Sequence, residues 1–137
     1  MGRLLALDVG DRRLGVAVCD PLRIVARPLC IIDRQREDAA SRIAALVREY
    51  EVDAVLIGYP YHADGRESAQ AERVRAFAES LRARVSVPLH FVDERYTSQE
   101  AQLILRERRR RRELERDDAI AAAVLLQRAL DEGISLT

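Results

Sequence analysis

Acidic residues stand where apolar runs end, positions at which a folded chain holds a side chain in place. The run RLLALDV at Arg3 to Val9 ends on Asp8 and Val9 with Gly10 after them, Asp93 and Glu94 close the run Pro88 to Val92, and Asp118 opens an alanine-rich stretch with Ala119, Ala121, Ala122 and Ala123. In an open α/β sheet, ligands bind outside the carboxyl ends of the strands, so these three segments can bring carboxylates to one place. Each also has a plainer role, a turn cap for Asp8 and an N-cap or first-turn dipole partner for Asp118. Taken together, an all-oxygen set without a His/Cys pattern suits a hard divalent cation, Mg²⁺ or Mn²⁺, and not zinc. Two such ions about 4 Å apart activate water on one side of a phosphodiester and stabilise the leaving oxygen on the other. The chemistry implied is phosphodiester hydrolysis.

The elements that must position these carboxylates are readable from hydrophobic periodicity. Arg3 to Val9 reads as a central strand buried on both faces, Leu14 to Cys19 as a second strand, and about Ile24 to Ile32 as a third, with connections short enough for an antiparallel meander. From Arg36 to Glu51 the apolar residues recur at three- and four-residue spacing (Ala39, Ile43, Ala44, Leu46, Val47), which predicts a helix. A fourth strand follows at Asp53 to Gly58, then a turn-rich loop at Tyr59 to Gly65, and a long helix with Ala69, Val74, Phe77, Ala78 and Leu81 on one stripe. Pro88 to Val92 is a fifth strand, Thr97 or Ser98 can cap the next helix, and a last helix runs from about Asp117 to Leu130. The expected fold class is α/β, a five-stranded mixed sheet of three antiparallel and then two parallel strands, flanked by helices.

A chain of 137 residues with 48% hydrophobic composition is one domain's worth, spanning residues 1–137, and buries enough surface to need neither disulfides nor structural metal. No apolar run approaches the roughly 18 residues of a membrane span, and the first residues enter a strand pattern directly, which predicts a soluble, cytoplasmic protein without membrane contact. Cys19 and Cys30 lack metal-ligand spacing and are expected to be small core thiols, with a cross-strand disulfide left open by their adjacent strands. Lys+Arg and Asp+Glu both number 23, so no net field draws nucleic acid from a distance. The charge is local: between Arg106 and Arg116 (RERRRRRELER) seven arginines face three glutamates. That row, Arg108, Arg109, Arg110, Arg111 and Arg112 at its centre, exceeds what its glutamates can pair and is expected to contact phosphates. With four tyrosines, two phenylalanines and no tryptophan, a base-stacking platform is not expected, and recognition should run through the backbone.

Four segments carry a family resemblance: LALDVGDRRLGVAVCDP at Leu5 to Pro21, VLIGYPYHADG at Val55 to Gly65, VDERYTSQEA at Val92 to Ala101 and DDAIAAAVLLQ at Asp117 to Gln127. In this order and spacing the chain resembles the YqgF (RuvX) family of RNase H-like nucleases over nearly its whole length. The resemblance implies an RNase H-like fold and a catalytic set of Asp8, Glu94 and Asp118, with Asp93 beside them as a further metal ligand. Of the two, Glu94 is preferred to Asp93, since successive strand residues point to opposite faces and both can face the metals only if the strand has already ended. It also implies that Asp8 touches both metal ions, that Arg13 and Arg95 serve nucleic-acid binding, with a salt bridge within the fold as the plainer role for Arg13, and that Gly10 and Gly15 let the backbone turn and approach a phosphate. His62 stands where the family more often has asparagine. It is a solvent-exposed loop histidine or, as the functional alternative, a proton shuttle for the leaving oxygen. His90 is expected to be structural.

The resemblance implies a metal-dependent endonuclease acting in 5′-end maturation of pre-16S rRNA, with ribosomal precursors as partners. Two alternatives are carried with it. One is a Holliday-junction resolvase acting on branched DNA, which would need a two-fold dimer where RNA trimming can be done by a monomer. The other is a non-catalytic RNA- or ribosome-associated binding module on the same scaffold.

Overall fold

In the computed structural model, residues 2–60, 68–93 and 117–133 are described. The elements are β1 (Arg3–Val9), β2 (Arg13–Cys19), β3 (Ala26–Asp33), α1 (Ala39–Glu49), β4 (Val52–Tyr59), α2 (Ala69–Arg82), β5 (Leu89–Asp93) and α3 (Asp117–Glu132). The strands form one five-stranded sheet in the order β3-β2-β1-β4-β5. β1, β2 and β3 pair antiparallel, and β4 and β5 join in parallel, as the sequence predicts. β1 lies at the centre, buried on both faces, which is why its sequence reads as an almost unbroken apolar run.

The pleat sorts side chains into two cores. Leu5, Leu7 and Val9 of β1, Leu14, Val16 and Val18 of β2, and Val55, Ile57 and Tyr59 of β4 pack under α1 and α2. Leu4, Ala6, Ala17, Cys19, Ala54 and Leu56 pack on the other face against Ala122, Leu125, Leu126 and Ala129 of α3. Cys19 belongs to the α3 face and accepts a hydrogen bond from the Leu4 amide at 3.1 Å, whereas Cys30 packs toward α1 and α2. Both thiols are free, and their opposite faces answer the disulfide question left open by their adjacent strands. Burial raises the pKa of each.

Two elements begin later than their periodicity suggests, because side-chain acceptors capture backbone amides. Asp20 accepts from the amides of Leu22, Ile24 and Val25, with Arg23 at a left-handed φ of 58°, so residues 20–25 form a loop and β3 starts at Ala26. Asp33 takes the Gln35 amide on its side chain and the amides of Arg36 and Glu37 on its carbonyl, which delays α1 to Ala39. α2 begins cleanly because the Ser68 hydroxyl caps the Ala71 amide at 3.0 Å. Among the described residues no helix is long and apolar enough to cross a membrane.

Candidate active site

Asp8 is the penultimate residue of β1 and pairs across the antiparallel ladder with Gly15 of β2. Alternation along β1 puts Asp8 in the row of Leu4 and Ala6, the face covered by α3. Gly15 continues the row of Ala17 and Cys19 on that face. A Cβ at Gly15 would lie 2.0 Å from the carbonyl oxygen of Asp118 and 2.5 Å from the amide nitrogen of Ala119. The first turn of α3 therefore rests on Gly15, and Asp118 enters beside the residue that Asp8 pairs with. The small side chains expected of α3 are matched by equally small ones on the sheet, Ala6, Ala17 and Ala54, so the fit is two-sided.

This corrects the reading of Gly15 as a seat for a phosphate, whereas Gly10 makes the turn expected of it. The space over Gly15 is filled by the α3 backbone. Gly10 closes the β1–β2 hairpin: its amide donates to the Arg13 carbonyl at 2.9 Å, and a Cβ there would sit 2.6 Å from the same oxygen. Arg13 is the exposed first residue of β2, and alternation places it in the Gly15 row, on the Asp8 face.

Asp93 ends β5 opposite Tyr59. Tyr59 belongs to the α1/α2 face and its ring lies 5.1 Å from that of Phe91, so Asp93 falls in the row facing away from Asp8. Its neighbour Val92 packs with the α3 core. His90, paired with Leu56, also lies on the α3 face and lines a cleft of about 460 Å³ with Asp93, Arg128 and Glu132. The His90 Nε2 is buried without a hydrogen-bond partner among the described residues. Glu94, Arg95, His62, Arg108, Arg109, Arg110, Arg111 and Arg112 lie outside the described residues, as do Thr97 and Ser98.

The structure thus brings the backbone of Asp8 and that of Asp118 to neighbouring positions on one face, and carboxylate oxygens carried there are donors of the kind that suit Mg²⁺ or Mn²⁺. Among the described residues no cluster of three or more His, Cys, Asp or Glu side chains has metal-binding geometry, and the third expected ligand, Glu94, is not one of them.

Sequence reasoning missed the residues that hold the strand end from the other side. The Gln70 side-chain amide donates to the Val9 carbonyl at 2.9 Å, and Arg34 Nη1 donates to the Gly10 carbonyl at 2.7 Å. Arg34 also stacks 5.1 Å over the Phe77 ring, and its own amide donates to Arg12. Arg73 pairs with Asp11 at the hairpin tip at 2.8 Å, with both side chains largely exposed. Beside them, the amide of Gln35, then the guanidinium groups of Arg12 and Arg36, hold the Asp33 carboxyl below the usual carboxylate range. The available signal for Gln70 was its place in the first turn of a helix that starts at the carboxyl end of β4.

Residues 2–132 match the RuvX family model, described as Holliday junction resolvase. A protein of Roseiflexus sp. (strain RS-1), named as a candidate pre-16S rRNA nuclease, is 41% identical over 133 residues, covering 95% of this chain and 94% of that one. A protein of the same name from Anaeromyxobacter sp. (strain Fw109-5) is 46% identical over 132 residues, covering 94% of this chain and 96% of the other. Among solved structures, T. thermophilus RuvC in complex with Holliday junction substrate aligns with a TM-score of 0.59 at 18% identity, covering 97% of this chain and 96% of that one. The fowlpox virus Holliday junction resolvase aligns with a TM-score of 0.56 at 11% identity, covering 95% and 99%. At such identities the likeness is one of fold.

Proposed function

Since the chain belongs to the RuvX family and has its RNase H-like fold, we propose that it is a divalent-metal-dependent endonuclease that cuts pre-16S rRNA. The observation that carries the reading is the seating of Asp118 on Gly15, directly across the ladder from Asp8. Relatives aligned over nearly their whole length bear the name of a pre-16S rRNA nuclease, which favours RNA as the substrate. The family description favours a second reading, resolution of branched DNA, which requires a two-fold dimer.

In this proposal Asp8, Glu94 and Asp118 are the catalytic carboxylates and hold Mg²⁺ or Mn²⁺. Glu94 is preferred to Asp93 because Asp93 falls in the row of β5 that faces away from Asp8. Metal held by these carboxylates would supply the charge that offsets the scissile phosphate and the acidity that makes water a competent nucleophile. The net reaction forms a bond from water oxygen to phosphorus, breaks the bond to the leaving oxygen, and delivers a proton to that oxygen. His62 is the candidate donor of that proton. Arg13, exposed on the Asp8 face, and Arg95 orient the phosphate. The arginine row Arg108 to Arg112 tracks neighbouring phosphates, giving affinity that falls steeply with salt. These roles suit a cytoplasmic enzyme working on ribosomal precursors.

The test is cleavage of labelled pre-16S leader RNA, a four-way DNA junction and plain duplex, with Mg²⁺ or Mn²⁺, by wild type and Asp8→Asn. Metal-dependent cutting of the leader RNA that disappears in Asp8→Asn is the expected result. Preferential cutting of the junction would move the assignment to resolution. Binding without cutting under every metal condition would leave only a binding module.

A further inference from the structure

We propose that Gln70 and Arg34 are positioning residues for Asp8, fixing the strand end that carries the carboxylate from the opposite face of the sheet. This rests on the reading of Asp8 as a metal ligand.

The parallel pairing of β1 with β4 runs from Arg3↔Val52 to Leu7↔Ile57 and stops one residue before Asp8. Past that point the register of β1 continues with β2, Asp8↔Gly15 and Val9↔Leu14. The next two carbonyls, those of Val9 and Gly10, are taken by Gln70 and Arg34. Two side-chain bonds thus follow directly where the parallel ladder stops. Both donors are themselves anchored. Gln70 sits in the first turn of α2, which is capped by Ser68 and packed through Ala71, Val74 and Phe77. Arg34 has its guanidinium over the Phe77 ring and its amide on Arg12. Both sit on the α1/α2 side and bond backbone carbonyls, so they are positioning and not catalytic residues. Their effect on chemistry passes through the peptide units that follow Asp8, and a metal site tolerates little displacement of a ligand.

The experiment compares Gln70→Leu, Arg34→Met and Arg34→Lys with wild type. Its readouts are Mn²⁺ binding to the free protein by calorimetry, kcat and KM on the cleaved substrate, and melting temperature. Loss of a group that orients a metal ligand typically costs about 10- to 100-fold in metal affinity or activity. Gln70→Leu and Arg34→Met are therefore expected to weaken Mn²⁺ binding and lower kcat by about tenfold or more, with KM for nucleic acid within a factor of about two. Arg34→Lys, which keeps a donor for the Gly10 carbonyl, should recover part of the loss. Wild-type Mn²⁺ affinity and kcat in both Gln70→Leu and Arg34→Met would overturn the proposal. So would a loss spread equally over kcat, KM and melting temperature, the mark of general structural damage. Asp8→Asn run alongside separates the two levels: if it too binds Mn²⁺ and cleaves normally, the metal-site reading itself fails.

Discussion

Gly15→Ala is the sharpest perturbation of the site that leaves every carboxylate in place. The added Cβ would stand 2.0 Å from the Asp118 carbonyl oxygen, against an ordinary contact of 3.4 Å or more, so the two must separate by about 1.4 Å to restore one. The contacted atoms are backbone on both sides and have no rotamer to change. β2 is held in the middle of the sheet by β1 and β3, so α3 is the element that moves, taking Asp118 away from Asp8. Forcing extra volume into a packed contact costs about 1–3 kcal/mol, and a misplacement of about 1 Å in a catalytic group can cost about 100-fold in rate. The expected outcome is a cleavage rate down by about 100-fold, with a melting temperature lower by about 3–12 °C for a chain of this length. The assay is single-turnover cleavage at saturating Mg²⁺, with thermal denaturation on the same preparations. A Gly15→Ala protein within twofold of the wild-type rate at unchanged melting temperature would refute the seating of α3 on Gly15 as the device that assembles the site.

The row of Asp93 in β5 predicts that Asp93→Asn keeps cleavage within a few fold of wild type, whereas the role proposed for Glu94 predicts that Glu94→Gln loses it, and steady-state rates on one substrate decide between them; the reverse order would place the wrong carboxylate at the metal. The Asp20 carboxyl is held below its usual range, chiefly by the amides of Val25 and then Ile24 and Leu22. Its folded value is depressed, so its contribution to stability is complete above about pH 4 and is lost as pH falls through the lower folded value. Asp20→Ala should accordingly lower the melting temperature at pH 7 by more than at pH 2.5, and an equal deficit at both would contradict the assignment. Burial raises both cysteine thiols, so at pH 8 native protein should react with a thiol reagent well below the rate of the denatured chain, and non-reducing electrophoresis should show no internal bridge.

What was legible in the sequence, and what was not, divides along the range of the interactions. Strand β1, its central place and the carboxylate at its end follow from a local run of apolar residues closing on Asp8, and the strand order follows from short connections and two βα units. The late starts of β3 and α1 were hidden because Asp20 and Asp33 capture amides that periodicity assigns to the element. Gly15 was visible as a glycine, but only the tertiary structure shows that the vacant Cβ position is filled by a helix arriving from the far end of the chain. Gln70 and Arg34 carry no local signal of their targets, since the carbonyls they hold are 61 and 24 residues away in sequence. The same range has a consequence for the site. Asp8 is fixed from both faces of the sheet, by the start of α3 resting on its ladder partner and by two donors gripping the carbonyls after it. These constraints act on one short stretch of backbone, so their losses should not add independently. A double change at Gly15 and Gln70 should cost less in rate than the product of the single changes, because once Asp8 and Asp118 are separated, further looseness at Val9 has little geometry left to spoil.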